Sequence, residues 1–547
     1  MKKNLIPAIL IAIFLLPACN KGFLNREPQD ALSNATLWQS AADANAALVG
    51  VYSGQPDYEY YSGNGWASGS EVAFFDCMSD NAYSQYPWDG IQYFGNGSIN
   101  PTSTSGYAAN LWDYVAITKC NYFLANIGAC PMDATLKAQM IAQVRFIRAY
   151  EYFILSQLYG AVPLVTTQLT PVQANAVVRT PKATITAFIL SELAAAATDL
   201  ETTSTGADVG HITKGAALAL KARVELYEAD YKDCITDEQA VMGLGYSLDP
   251  SYSDLFRIQN QYANPEIIVA AQYVENPSAN ANGVIGVFPS NSMGGWSSVT
   301  PLQSMVDGYE MANGKVITDP TSGYDPTHPY TNRDPRLAAT ILYPGAPYIP
   351  SGGTTALYYD PLDASSADYY QSGNNTSPTG YEVVKYTSHL SDFDNLFQSG
   401  LNMTIIRYAE VLLSDAEAKI ESNQIDASVY NDINLVRNRA GMPSVDQSVY
   451  NSQTTLRSLI RRERRVEFAF EGLRYYDIQR WGIGTQVMNG PVYGAQLGTV
   501  NATTGQYTIT GDSIKVETRQ FAAKNNLWPV PQSEININKA LTQNPGY

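Results

Sequence analysis

The chain has 547 residues, 45% of them hydrophobic and 16% charged. That length exceeds the roughly 250–300 residues at which one hydrophobic core stops growing, and the composition excludes a disordered chain, a coiled coil and a collagen-like polymer. Lys and Arg number 34 against 51 Asp and Glu, a net charge of −17 that repels phosphate backbones and argues against a nucleic-acid partner. Tyrosine is abundant, 38 against 16 Phe, and its apolar ring with a polar tip suits half-wet recognition faces. The three histidines, His211, His328 and His389, are far apart, so no His-rich metal centre is expected, and no cofactor is implied.

Lys2 and Lys3 precede an apolar run over 5–16, too short for the roughly 20 residues of a membrane span, and the arrangement reads as a secretory signal. Leu16-Pro17-Ala18-Cys19 follows, with the pattern of a lipobox: acylation at Cys19 and removal of residues 1–18 are expected. Each buried CH₂ of an acyl chain adds roughly 0.8 kcal/mol, so two or more chains tether the protein stably. Export makes a disulfide possible between Cys120 and Cys130, but the chain gives no sign of contact, and free buried thiols are expected at Cys77, Cys120, Cys130 and Cys234.

Thr36 and Gln39 have capping-box spacing before a helical apolar recurrence of Leu37, Ala41, Ala44, Leu48 and Val51. Further helices are expected over 111–127, 134–158 (stopped by Gly160 and Pro163), 180–200 with Pro181 at its first turn, and 213–230. Helix, short loop, helix is the rhythm of a tetratricopeptide-type solenoid, although the roughly 34-residue consensus of that repeat is not visible. From 249 to 401 the pattern changes to Gly, Pro, Ser, Asn and Tyr, with strand candidates at 267–271 and 382–386. Its Trp and Tyr content marks this stretch as functional loops rather than a disordered linker. Helices return at 405–422, 429–440 and 455–471, and a hairpin or loop is expected over 492–510.

Arg461, Arg462, Arg464 and Arg465 stand among Glu463, Glu467 and Glu471. The spacings Arg464–Glu467 and Glu471–Arg474 put opposite charges on one helix face, so the block reads as a structural salt-bridge network between helices, not a nucleic-acid patch.

Several segments together carry a resemblance. They are Phe23-Leu24 with Pro28; 46–52; Arg145-Phe146-Ile147-Arg148-Ala149-Tyr150 with Tyr159-Gly160; 407–418; Arg437-Asn438-Arg439-Ala440-Gly441; the run from Arg461 to Arg480-Trp481-Gly482; and Trp528-Pro529-Val530-Pro531 with Asn544-Pro545-Gly546-Tyr547. In this order they resemble the SusD/RagB family of outer-membrane nutrient-binding lipoproteins. The resemblance implies a mainly α-helical protein of tetratricopeptide-like stacked helix pairs (an α-solenoid) with long irregular loops and a few short strands. It also implies a non-enzymatic role: capturing oligosaccharides, or peptides in some branches, at the cell surface for a partner TonB-dependent (SusC-like) transporter barrel. The chain then divides into the signal 1–18 and one unit, 19–547. That unit has a helical scaffold at about 31–230 and 402–482, a loop-rich ligand-binding insertion at about 249–401, and a C-terminal segment 483–547.

Sugars offer flat C–H faces and rings of hydroxyls, so a site needs aromatic platforms beside Asp, Asn or Gln. Two loop regions have that composition: 58–93, with Tyr60, Tyr61, Trp66, Asp80, Asn81, Tyr83, Tyr86, Trp88 and Asp89, and 288–309, with Asn291, Trp296 and Gln303. Such positions resemble the family's ligand arc. Trp66, Trp88 and Trp296 are the expected platforms, and Asp80 and Asn81, with Tyr83, the expected partners of hydroxyls. At roughly 0.5–1.5 kcal/mol per aromatic contact beyond area, affinity should be micromolar to millimolar. A glycoside hydrolase is the enzyme alternative, but carboxylate pairs are inevitable among 51 Asp and Glu and decide nothing. No Gly-x-Ser-x-Gly, His-Glu-x-x-His or phosphate-binding glycine loop occurs, and Asp392-Phe393-Asp394 lacks the rest of a calcium loop.

Overall fold

Ser40 starts the first helix. The computed structural model describes residues 37–53, 69–87, 90–103, 111–262, 264–275, 281–350 and 353–547, so Cys19, Thr36, Trp66 and Trp88 lie outside the described residues. Helix α1, Ala41–Tyr52, takes Ser40 as its N-cap, the hydroxyl accepting from the Asp43 N–H. The start therefore falls four residues after Thr36, because Ser40 and Asp43 supply the same reciprocal chemistry: the Asp43 carboxylate accepts from the Gln39 N–H at 3.1 Å and from the Ser40 hydroxyl at 2.8 Å.

Helix α2 is Val115–Asn126, and α3, Ala134–Tyr159, is capped by Asp133 and ends at Gly160 with φ +72°. Helix α4, Lys182–Asp199, has Pro181 at its N-cap rather than inside its first turn, and α5, Lys214–Tyr227, is capped by Thr213. Helix α6, Tyr231–Met242, carries no apolar stripe that would announce it: only Cys234, Glu238 and Val241 are buried. From α2 to α6 each helix packs on the one before it, giving the stacked pairs of a solenoid. The long α3 is enclosed on nearly every side in its second half, where Phe146, Ile147, Tyr150, Phe153 and Leu158 are buried. No helix among the described residues is long and apolar enough to cross a membrane.

Helix α7, Tyr408–Glu421, packs on α6 although residues 243–407 intervene. The strands explain this return. In chain order they are β1 (Ala82–Ser84), β2 (Ile267–Ala271), β3 (Val299–Pro301), β4 (Ile341–Leu342), β5 (Pro347–Tyr348), β6 (Leu357–Tyr358), β7 (Glu382–Val383), β8 (Met403–Arg407), β9 (Gly490–Val500) and β10 (Tyr507–Arg519). Strand β2 at the entry of the long excursion pairs antiparallel with β8 at its exit, Ile267 opposite Arg407, so the chain leaves and rejoins the solenoid at one place. Residues 405–407, expected in the helix, belong to this neck, where β-branched Thr404, Ile405 and Ile406 suit a strand.

Helix α8, Ala427–Arg439, and α9, Gln453–Glu467, close the stack; α9 packs on α7. The helix expected over 455–471 ends early because Phe470 and Gly472 have φ of +62° and +77°, after which α10, Leu473–Arg480, leaves in a new direction. Strands β9 and β10 form an antiparallel hairpin longer than the 492–510 expected. One apolar cluster runs from Trp38 to Trp528 through α1–α5 and the loops, and a second joins α7, α8 and α9. Cys77, Cys120, Cys130 and Cys234 are all buried and no disulfide joins any two of them, as expected.

The arginine block is structural, but its pairs are tertiary rather than along one helix. Glu467 receives Arg336 from the excursion at 2.9 Å, Arg407 from the neck at 2.7 Å, and Arg439 from α8. Glu463 pairs with Arg336 at 2.6 Å and Arg437 at 2.8 Å, and Glu471 with Arg407 at 2.7 Å and Lys385 at 2.5 Å. Arg464 turns to Glu417 and Asp477, and Arg474 to Asp80. Burial would raise the Glu463 and Glu471 carboxyls, yet the guanidinium groups around them hold both below the usual carboxylate range. The excursion is thus locked onto the solenoid by buried, paired charge.

Candidate functional site

The two loop regions singled out by composition meet. Strands β1 and β3 pair antiparallel with Tyr83 opposite Thr300. The ladder extends through Gln85 N–H donating to the Ser298 carbonyl at 3.0 Å and Leu302 N–H donating to the Asn81 carbonyl at 2.9 Å. Segments more than two hundred residues apart in the sequence are thereby fixed side by side.

The loop over 290–298 is built tightly. Gly295 N–H donates to the Ser290 carbonyl, Trp296 N–H to that of Gly286 and Ser297 N–H to that of Pro289, each at 2.9 Å. A Cβ on Gly295 would come 2.3 Å from the Pro289 carbonyl oxygen, so only glycine allows the fold-back. Trp296 is half-buried, its ring 4.5 Å from that of Phe397 at an interplanar angle of 40°. This places Trp296 as a supported, partly exposed aromatic surface.

A third segment completes the face. Asn375, in the left-handed region with φ +54°, accepts at Oδ1 from the Tyr86 hydroxyl at 2.6 Å. Its carbonyl accepts from Asn291 N–H at 2.9 Å and from the Ser297 hydroxyl at 3.1 Å. Ser290 and Ser292 both donate to Asp368 at 2.6 Å, next to the half-buried Tyr369 and Tyr370. Beneath, Ser297 donates to Glu382 at 2.7 Å, and burial pushes this carboxyl well above its usual range. Gln303 accepts from the Tyr381 hydroxyl at 2.5 Å and donates to Asp307 at 2.8 Å. Tyr86 and the loop of half-buried Trp296 are thus joined through Asn375 among amides and hydroxyls, and the half-buried Tyr83 stands in the strand that leads to Tyr86.

Asp80 and Asn81 lie inside rather than on this face, with exposures of 8% and 0%. Asp80 accepts from Arg474 Nε at 2.7 Å and Nη2 at 2.9 Å, and pairs with Arg465 at 3.1 Å. Burial would raise its carboxyl, but Arg465 and Arg474 bring it down to about 2. Asn81 donates to Asp76 at 2.6 Å and accepts from Arg465 Nε at 2.8 Å. The buried Arg519 of β10 donates to the Ser79 and Ala82 carbonyls at 2.5 and 2.7 Å. These groups fix the path of the chain into β1. The half-buried Tyr83 accepts from Gln92 Nε2 at 3.1 Å, and burial, then Glu517, raises its phenol.

Sequence reasoning missed Asn375, Phe397, Asp368 and Glu382. The polar run around Asn374-Asn375 reads only as loop, and nothing local signals Asn375 as the tie between Tyr86, at its side-chain oxygen, and Ser297, at its backbone carbonyl. No group of three or more His, Cys, Asp or Glu among the described residues is arranged to hold a metal ion. What the face offers is stacking and neutral hydrogen bonding.

Comparison with known proteins gives a consistent picture. Residues 265–547 match the profile described as SusD family, and residues 23–226 one described as starch-binding associating with outer membrane. A SusD-like carbohydrate binding protein from Bacteroides fragilis has a solved structure that superposes with a TM-score of 0.80 at 31% identity, covering 93% of this chain and all of that one. SusD-like protein P25 of Formosa agariphila is 24% identical over 98% of this chain and 99% of its own length. Starch-binding protein SusD of Bacteroides thetaiotaomicron is 26% identical over 80% of this chain and 78% of its own.

Proposed function

The chain belongs to the SusD family, and from that membership we infer that it is a glycan-binding lipoprotein of the outer membrane, acting by capture rather than catalysis. It takes an oligosaccharide from solution and delivers it to a partner TonB-dependent transporter barrel, held at the membrane by acyl chains on Cys19 and facing the cell surface. The observation that carries the reading is the β1–β3 pairing, which sets Tyr83 and Tyr86 beside the loop of Trp296. Half-buried aromatic rings with amides and hydroxyls between them match a sugar's C–H faces and hydroxyls.

Trp296 is the stacking platform in this proposal, with Tyr83 beside it, and Trp66 and Trp88 are further platforms. Asp80 and Asn81 position the strand from beneath. The starch-binding relative supports the ligand class. The division into signal, helical scaffold, ligand-binding insertion and C-terminal segment is kept as part of the proposal.

Affinity electrophoresis through gels containing soluble starch, laminarin, xylan or mannan tests it. Wild-type protein is expected to be retarded by one glycan class, and Trp296→Ala to lose about tenfold in affinity at unchanged circular dichroism, from lost stacking and lost apolar burial together. Absence of retardation in every gel would transfer the weight to peptide capture. Co-purification of a barrel with the tagged, acylated protein from outer membranes tests the transporter partner.

A further inference from the structure

A cleft of about 520 Å³, counting the solvent at its mouth, opens between α1, the first turns of α3 and the segment linking α4 to α5. It shares no residue with the Trp296 face. We propose that this cleft is a second saccharide-binding site, taking one or two neutral sugar units on the apolar floor between Glu201 and His211.

The floor is Leu48, Met140, Leu200 and Ile212, all buried, so each adds only a small apolar patch on which a pyranose C–H edge can rest. Around it stand Asn45, Gln139, Glu201, Asp208 and His211. Between them they supply amide donors, amide and carboxylate acceptors and an imidazole, the inventory that a ring of hydroxyls requires. Glu201 already accepts from Gln139 Nε2 at 2.9 Å, which fixes both side chains, and a carboxylate with about four lone-pair sites still has room for vicinal hydroxyls.

One wall is preformed. The His211 ring stacks on Tyr52 with centroids 5.4 Å apart and planes 19° from parallel. Tyr52 is held by two hydrogen bonds, donating to Gln143 at 2.7 Å and accepting from Ile212 N–H at 2.9 Å. The imidazole, its side chain 29% exposed, is therefore presented on a fixed support. Asp208 stands 3.6 Å from its Nδ1. Among the described residues no Lys or Arg lines the cleft, while Glu201 and Asp208 do, so phosphate, sulfate and uronate groups are disfavoured there, and of the saccharides the neutral ones fit.

The proposal takes only its ligand class from the glycan-capture reading and is tested apart from it. Full-chain protein carrying Trp296→Ala is labelled with ¹³C-histidine, and the imidazole signals are followed while maltose, cellobiose or laminaribiose is added. The chain has only three histidines, so His211→Gln assigns the signal and His328 with His389 serve as internal controls. At least one disaccharide is expected to move the His211 signal saturably while the other two stay still. Glu201→Ala should weaken that response about tenfold, as loss of a hydrogen bond to a charged group does. The proposal fails if no disaccharide moves His211, if all three signals drift together, or if putrescine moves it and no sugar does. Failure here leaves polysaccharide retardation of the wild type untouched, and loss of that retardation leaves this titration readable.

Discussion

Arg474 grips Asp80 through both arms of its guanidinium, Nε to Oδ1 at 2.7 Å and Nη2 to Oδ2 at 2.9 Å, and so ties α10 to the turn that leads into β1. The pair is almost dry, with 7% and 10% of the side chains exposed. A buried ion pair adds little over a well-packed apolar substitute, but removing one partner strands the other charge. Asp80→Ala should therefore cost about 3–5 kcal/mol in urea unfolding at neutral pH and weaken polysaccharide binding with it. Should Asp80→Asn keep full stability yet lose binding, the carboxylate would belong on the ligand instead.

Gly295→Ala isolates the Trp296 loop from the core. The added methyl meets the Pro289 carbonyl oxygen at 2.3 Å and that of Gly286 at 2.8 Å, both backbone atoms that cannot step aside. The loop must open and carry Trp296 off Phe397. Expected are a changed tryptophan emission and lost glycan retardation, with a stability change of only about 1–3 kcal/mol. Unimpaired retardation would show that the fold-back does not position the ligand.

Glu467→Gln tests the lock between excursion and solenoid. Three guanidinium groups, from Arg336, Arg407 and Arg439, converge on this carboxylate at 0% exposure, and neutralising it leaves them facing one another. A loss of about 3–5 kcal/mol is expected at neutral pH, larger than for the solvent-facing Arg457→Gln. Equal effects of the two substitutions would dismiss the network as the lock.

Asp76 gives a pH signature. It accepts from Asn81 at 2.6 Å and from Gly472 N–H at 2.9 Å, yet burial raises its carboxyl from 3.8 to about 6. A folded state that holds a proton more tightly than the unfolded chain loses stability as pH rises from 3.8 through about 6, and levels off above. The rise from 3.8 to about 6 corresponds to a loss on the order of 3 kcal/mol. Asp76→Asn should flatten this part of the urea-midpoint profile between about pH 4 and pH 6.5 relative to wild type. A parallel profile would assign the slope to other groups.

The solenoid was legible because its helices carry their own punctuation. Asp133 and Gly160 bracket α3, Thr213 caps α5, and 3.6-residue periodicity marks their buried faces. Helix α6 was not legible: with Cys234, Glu238 and Val241 as its only buried residues, it is helical because α5 and α7 flank it. The neck failed for the converse reason, since 405–407 reads as the start of a helix until β2 arrives opposite.

For the recognition face, the sequence by itself determined the two aromatic loop regions and their likeness to a family, because residue type alone tells whether a surface can stack on a sugar. Only the tertiary structure decided that β1 and β3 join them, that Asn375 ties Tyr86 to the Trp296 loop, and that Asp80 and Asn81 serve from within. A carboxylate and an amide look alike in a sequence whether they meet water or an arginine. Which they meet depends on Arg465 and Arg474, nearly four hundred residues away, and contacts at that separation leave no local periodicity to read.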